Sequence, residues 1–386
     1  MPLLLGPLLA QAITLTAGDR TEVRARTQSG EMRSDATTSA TLQLARPAPP
    51  FSWTLAYNPS FTWMSFGASD SQKLIMQGVR AFARLQDRRT AFELSEDLTY
   101  GRQNYRVAAL SAPTAGSPPG STAQPSTSAV ATSSLNVVDQ VVLTGSTSTT
   151  ARLMHTLSPR LSALASAGYT ESGGLDSASR ATVPLFRTGS GTASMGYRLT
   201  PVDDLMTSGT GTATQMWNGE TRVRNWIVTI QESWLRRWSR QLTSRLSAGV
   251  APTSSSPGGV ASAAVTYQDR VASGTLGTVA AMDLASLIDA RTGELAQAVS
   301  ASVSSSWLTG HFGLSGSASA VQSLDAPSSR GFSSYGLGAT ALYTMETQLT
   351  FEGGVRAARS VSAGTSSPPE WAAFVAVRYT STLTYF

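Results

Sequence analysis

Few residues in this chain can do chemistry. His155 and His311 are the only histidines in 386 residues, and there is no cysteine. The lack of cysteine excludes disulfides, thiolate metal sites and a cysteine nucleophile. A histidine that works as a general base needs a nucleophile or an orienting carboxylate beside it. Neither histidine has an adjacent Ser or Asp motif of that kind. Each falls within three residues of a polar junction, so both read as packing residues at one rim. No Gly-x-Ser-x-Gly elbow, His-Glu-x-x-His zinc helix or phosphate loop occurs. Asp203-Asp204 reads as a turn former rather than a calcium site. The sequence therefore points to no enzyme, no metal and no cofactor.

What remains is charge at alternating positions. Arg80, Arg84, Arg160, Arg198, Arg245, Arg356 and Arg378 lie on the polar parity of their segments, together with Glu93, Asp97 and Glu352. If those parities share one interior, seven cations face three anions. Fixed cations in a low-dielectric wall would favour anionic solutes. The other reading is that these arginines pair with the carboxylates and brace a closed wall. The formal net charge is +5, carried almost wholly by arginine, with Lys73 the only lysine. The arginines are scattered singly and form no basic stripe, which argues against a nucleic-acid partner despite a pI near 9.7.

The elements that must position these residues are strands. Period-two alternation runs from one end of the chain to the other. Phe51, Trp53, Leu55 and Tyr57 alternate with Ser52, Thr54 and Ala56. Ala193, Met195, Tyr197 and Leu199 alternate with Thr192, Ser194, Gly196 and Arg198. Tyr335, Leu337, Ala339, Ala341 and Tyr343 alternate with Ser334, Gly336, Gly338 and Thr340. Charged residues are 14% of the chain and apolar ones 41%, both below the usual shares for a soluble domain. A wall with one apolar and one uncharged polar face fits that composition. No run approaches the roughly 18 apolar residues of a membrane-spanning helix.

Tight polar junctions fall near Ala48-Pro49, Asp87-Arg88, Ser158-Pro159, Val202-Asp203, Ser239-Arg240, Asp269-Arg270, Thr309-Gly310 and Met345-Glu346. The later six recur about every 37 residues, room for two tilted strands of roughly 10–12 residues, a short turn and a longer loop. Longer Gly/Ser/Pro segments lie between them. With both termini on the short-turn side, eight short turns give about 18 strands, with 16 the near alternative. The expected fold is an all-β, up-and-down antiparallel transmembrane β-barrel over residues 13–386. Residues 1–12 read as a truncated or mis-started signal peptide, ending in Ala10-Gln11-Ala12. A long Ser/Pro-rich loop is expected at about 101–138, either external or folded into the lumen as a plug.

Aromatic residues collect at strand ends. Phe51, Trp53, Tyr197, Trp238, Trp307, Tyr343 and Tyr385 mark the short-turn side. Trp63, Tyr169, Trp217, Trp226, Tyr335 and Trp371 mark the other. Two girdles suit the two interfaces of a bilayer. Two carboxylates break the pattern: Glu96 shares parity with Phe92, Leu94 and Leu98, and Glu232 with Ile230 and Trp234. Register-resetting bulges are expected there.

The last segment, from Val375 through Arg378 and Tyr379 to Tyr385-Phe386, resembles the C-terminal strand of Gram-negative outer-membrane proteins, in which a terminal aromatic is read by the barrel-assembly machinery. Here Tyr385 shares the apolar face and Phe386 lies on the opposite one. The resemblance implies a cell outer-membrane location and the lipid bilayer and that machinery as partners. In overall look the chain is also similar to porin-like barrels, including the 18-stranded barrels of exopolysaccharide export. The expected function is a channel for polar solutes, anionic ones among them, of porin or export type, for a secreted polymer such as polysaccharide. A periplasmic export partner would accompany export. The alternative is a plugged or scaffold barrel that binds a partner without an open pore.

Overall fold

The computed structural model describes residues 13–28, 31–66, 70–104, 141–218, 221–254, 257–271, 274–288, 295–309, 311–324, 332–345, 348–362, 365–366 and 369–385. The strands are β1 (Ile13–Gln28), β2 (Glu31–Arg46), β3 (Phe51–Tyr57), β4 (Ser60–Phe66), β5 (Asp70–Gln86), β6 (Thr90–Asn104) and β7 (Val141–Ser158). Then come β8 (Leu161–Gly174), a short helix α1 (Ser177–Thr182), β9 (Leu185–Arg198), β10 (Asp203–Asn218), β11 (Thr221–Arg237), β12 (Leu242–Pro252) and β13 (Pro257–Val271). β14 (Gly274–Ile288), β15 (Leu295–Leu308), β16 (Phe312–Ser323), β17 (Phe332–Met345), β18 (Leu349–Ser362), the two-residue β19 (Thr365–Ser366) and β20 (Glu370–Tyr385) follow.

Every pairing is antiparallel between sequence neighbours, and β1 pairs with β20 to close the sheet, from Ile13↔Tyr385 to Arg26↔Ala372. β3 and β4 are one wall strand. Both keep a single register against β2 and against β5. The ladder is interrupted at Pro59, which has no N–H to give, although its carbonyl still accepts from Ala40 at 3.0 Å. Counting β3–β4 once and leaving out β19, the wall is a closed 18-stranded antiparallel barrel. With strands about 4.8 Å apart and tilted about 40°, its backbone is about 36 Å across.

All eight expected short turns lie on one side, between β2 and β3, β5 and β6, β7 and β8, and so on to β17 and β18. The one expected at Asp269-Arg270 falls two residues later, because the ladder continues through Arg270↔Thr275 and Val271↔Gly274. Continuous wall strands run from 11 residues in β12 to 18 in β7, longer than expected. The apolar band needs only about 9–11 tilted residues, so the excess carries polar ends beyond it. β6 is one example: it continues to Asn104, opposite Val141, so residues 101–104 are strand and not loop. Residues 1–12, 105–140 and Phe386, where the signal segment, the long loop and the final aromatic were placed, lie outside the described residues.

The faces alternate as the sequence requires. Leu337 and Val375 on the outer face are 62% and 64% exposed, which only a lipid surround makes tolerable across a whole wall. Among the described residues no helix is long and apolar enough to cross a membrane; the crossing is made by strands. Trp63, Tyr169, Trp226, Tyr335 and Trp371 are exposed toward the loop side, and Tyr197, Trp238 and Tyr343 toward the short-turn side. Arginines reinforce both girdles. Trp217 lies between the guanidinium groups of Arg187 and Arg222 at 4.9 and 4.8 Å, and Arg236 stacks 4.5 Å from Trp238.

No bulge resets the register at Glu96 or Glu232. Both ladders of β6, and that of β10 with β11, run unbroken through them, so the two carboxylates face outward. Glu232 is accommodated by a local partner, accepting from the Thr207 hydroxyl at 2.7 Å on the same face. The irregularity that does occur lies between Thr156 and Ser158, at the β7–β8 turn.

On the loop side, α1 packs back against the wall. Asp176 caps it, accepting from the Ser179 amide at 2.6 Å, and the Ser179 hydroxyl accepts from the Leu143 amide at 2.9 Å. These bonds satisfy groups that a helix terminus otherwise leaves open.

Candidate functional site

The candidate site is the inner face of the wall. In an antiparallel sheet, directly paired residues point to the same side, so the register carries one face around the whole barrel. Starting from Phe374 and Ala376 on β20, buried opposite the exposed Val375, the inner face passes to Arg24 and Glu22 on β1 and to Asp35 and Thr37 on β2. It continues through Arg84 and Arg80 on β5, paired with Glu93 and Asp97 on β6, and through Arg152 and Ser148 on β7. From there it turns neutral.

The ten strands β8 to β17 present mainly Ser, Thr, Gly and Ala inward. Ser166, Thr192, Thr210 and Thr229 form one such row across β8 to β11. Ser302, Ser319 and Gly336 form another across β15 to β17. Neighbouring hydroxyls bond each other across strands, as in Thr188–Thr214 at 3.2 Å, Thr192–Thr210 at 3.2 Å and Thr278–Ser305, on the outer face, at 3.0 Å. These bonds are between neutral groups and exchange readily with water or other hydroxyls. The lumen thus has two unlike arcs: a charged one centred on the β1–β20 seam and a hydroxyl-lined one facing it.

The charged arc is braced by ion pairs. Arg80 contacts Asp97, and Arg84 lies 3.5 Å from Glu93. At the seam Glu22 accepts from Arg20 at 2.9 Å and from Arg24 at 2.5 Å, while Arg20 reaches over β20 to Glu352 at 3.0 Å. Arg356 lies 5.7 Å from the Phe374 ring. That ring lies against Gly354, where an added Cβ would come within 2.6 Å of it. Arg20, Glu22, Arg24, Arg356, Glu370 and Phe374 line a cavity of about 160 Å³.

The remaining expected lumenal residues divide. Arg198 ends β9 at the short-turn rim, 3.5 Å from Asp204. Arg160 sits in the turn before β8, at the rim and not on the wall, and its carbonyl accepts from the Arg198 amide at 2.8 Å. Arg378 faces inward opposite Arg20. Arg245 faces inward on β12, half-buried, with its Nε unpartnered. The sequence reading missed Arg20, Glu22, Arg24, Asp35, Arg152 and Asp283. Arg20, Glu22 and Arg24 do alternate, but their outer-face neighbours Asp19 and Thr21 are polar too, which blurs the contrast. Asp283 lies between Met282 and Leu284, a signal that could have placed it.

The histidines are held at the short-turn rim by structural bonds. His155 Nδ1 is 2.9 Å from the Thr90 hydroxyl, and His311 Nδ1 is 3.1 Å from the Thr344 carbonyl oxygen. No metal-capable cluster of acidic and histidine residues occurs among the described residues.

Solved structures with this architecture include an iron transporter and a siderophore receptor. The FrpB iron transporter of Neisseria meningitidis (F5-1 variant, apoprotein form) matches at a TM-score of 0.51 with 12% identity, over 90% of this chain and 62% of its own. The siderophore receptor PirA of Pseudomonas aeruginosa matches at 0.50 with 8% identity, over 95% of this chain and 80% of that one. OpdO of Pseudomonas aeruginosa matches at 0.49 with 11% identity, over 97% and 98%. This chain therefore spans under two thirds of the FrpB length, and at such identities the likeness is one of fold. No curated protein is similar in sequence. Residues 54–264, more than half of the chain, match the EpsX exopolysaccharide export family.

Proposed function

This chain belongs to the EpsX exopolysaccharide export family, and from that premise we propose that it is the channel through which a polysaccharide crosses the outer membrane. It is an outer-membrane barrel of channel type, with a polar lumen, in a family of exopolysaccharide export. The step to a polysaccharide rests on one observation, the hydroxyl-lined arc from β8 to β17.

A moving polymer needs a wall that wets it without trapping it. Each neutral hydroxyl contact contributes about 0.5–1.5 kcal/mol net, because a bond to water is exchanged for it. Glycan hydroxyls can therefore pass from one Ser or Thr to the next with small barriers, and conduction favours many weak sites over a few strong ones. Most large apolar side chains are on the outer face, and those that face inward, such as Met206, Val279 and Leu342, are outnumbered by Ser, Thr, Gly and Ala. The ion pairs of the charged arc brace the opposite side. A barrel about 36 Å across leaves room for a hydrated chain between the two arcs. Delivery at the short-turn rim by a periplasmic export partner, and insertion by the barrel-assembly machinery through β20, belong to the same reading.

The test is secretion. In cells lacking the gene, polymer in the medium should fall and polymer in the periplasm should rise, with both restored by the full chain. Unchanged secretion in the deletion strain would refute the proposal.

A further inference from the structure

Between its two rims, the hydroxyl-lined arc carries two charged side chains among the described residues: Arg245 on β12 and Asp283 on β14. Register places Arg245 level with Ala264 and Ala281. Asp283 lies two residues along from Ala281, level with Ser262 and Ser300. The two charges are thus two strands and one row apart, with backbones about 10 Å or more from each other. Among the described residues no ion pair joins them and neither has another partner; the Arg245 Nε in particular is buried without an acceptor there. Between them lie Ala264 and Ala281 in the row of Arg245, and Ser247 and Ser262, whose hydroxyls bond each other, in the row of Asp283.

This arrangement does not brace the wall. A half-buried charge without a partner costs folding free energy, whereas the pairs of the charged arc offset that cost among themselves. A donor and an acceptor held apart across two small methyl groups and a pair of hydroxyls are what a sugar ring can use. One face of a pyranose is C–H, and its rim carries hydroxyls that both give and accept.

We propose that Arg245 and Asp283 form a subsite for one uncharged pyranose unit of the exported polymer. Asp283 accepts from ring hydroxyls, Arg245 donates to a hydroxyl or ring oxygen, and the C–H face lies over Ala264 and Ala281. The inference rests on the export reading and narrows it to a neutral glycan. A polyanion would be attracted by Arg245 and repelled by Asp283, and a polycation the reverse, so the pair taken together favours neither sign of charge.

The full chain in planar bilayers is titrated with maltohexaose and, separately, with hexagalacturonate, and the durations of single-channel current interruptions are measured. Maltohexaose should interrupt the current. Arg245→Gln and Asp283→Asn should each shorten the interruptions about ten-fold, the scale of losing one charge-assisted hydrogen bond. The double variant should lose little more, because both groups hold one ring. Melting temperature should not fall in Arg245→Gln, since an unpaired desolvated charge is removed; a bracing residue would lower it. If a variant fails to fold, Arg245→Lys and Asp283→Glu keep the charge, alter the reach and should still shorten the events. Interruptions of unchanged length in folded variants would overturn the subsite. So would longer residence of hexagalacturonate than of maltohexaose, or a conducting channel that maltohexaose never interrupts. The export reading would survive those three results, since it is judged by secretion. A folded protein that passes no current would overturn both.

Discussion

Replacing Glu96 with leucine should stabilise the barrel, and the same replacement three residues away at Glu93 should destabilise it. The two lie on opposite faces of β6. Glu96 is six residues from Thr90, the start of the strand. At a rise of about 3.3 Å per residue and a tilt near 40°, that puts it about 15 Å above the short-turn end, inside an apolar band about 25 Å tall. A lipid-facing Arg or Lys costs about 2–4 kcal/mol near the midplane and a carboxylate less, so its loss should add about 1–2 kcal/mol. Glu93 faces the lumen with Arg84 at 3.5 Å, in a pair open enough to water that its net worth is small. Its replacement leaves Arg84 without that partner and should cost about 0.5–1 kcal/mol. Reversible urea unfolding in phospholipid vesicles, followed by tryptophan fluorescence and by gel mobility, reads both. Shifts of the same sign would refute the face assignment of β6 and, with it, the outward placement of Glu96.

Three further outcomes follow from the geometry. Gly354→Val should push the Phe374 ring off the wall, because an added Cβ meets the ring at 2.6 Å and the Ala339 carbonyl oxygen at 2.8 Å; single-channel conductance should fall, and unchanged conductance would place that ring elsewhere. Ion selectivity, read as reversal potential under a salt gradient, should be weak because the arginines of the charged arc are largely paired, and Glu93→Gln should move it toward anions while Arg84→Gln moves it toward cations. The α1 cap should be acid-sensitive. The amide and hydroxyl of Ser179 bond the Asp176 carboxylate and hold its pKa below the usual range. A depressed folded-state pKa means the stabilisation is complete above the unfolded value and is lost as pH falls through the folded one. Cleavage after Arg180 by an acid-tolerant, arginine-directed protease should therefore accelerate only below the ordinary carboxylate range, and Asp176→Ala should make it fast at all pH values.

The wall was legible because period two survives wherever one face is apolar. Tyr335 through Tyr343 give the face, the girdle spacing and the strand length in nine residues. The short turns were legible for a second reason: they interrupt that alternation with Pro, Asp and Arg in few residues. Face assignment alone, however, does not reveal partners. Arg20 and Glu352 meet across 332 positions of sequence, and only closure of the sheet brings them within 3.0 Å. The arginines that alternate cleanly were legible, while Arg20, Glu22 and Arg24 sit where polar neighbours on the other face weaken the contrast; the three carboxylates missed, Glu22, Asp35 and Asp283, are matched by three arginines missed, Arg20, Arg24 and Arg152. The expected bulges at Glu96 and Glu232 failed for a related reason. At Glu232 a hydroxyl one strand away holds the outward carboxylate without any change of register, and no pattern along a single strand records that neighbour; at Glu96 the ladder runs on with the carboxylate outward.

The β1–β20 seam has a consequence for how the barrel comes into being. β1 is made first and has β2 on one side, but its other row of backbone donors and acceptors is satisfied only by the last strand, as where the Ser381 hydroxyl reaches the Ala17 carbonyl. Until then the growing sheet carries two unpaired borders, the kind of surface that invites wrong partners. Loop closure over nearly the whole chain is also the slowest pairing to find by search. Assembly should therefore be limited by joining the ends. Substitutions at Arg20, whose ion pair with Glu352 reaches across the seam, should slow insertion far more than equal losses of stability on β8 to β17.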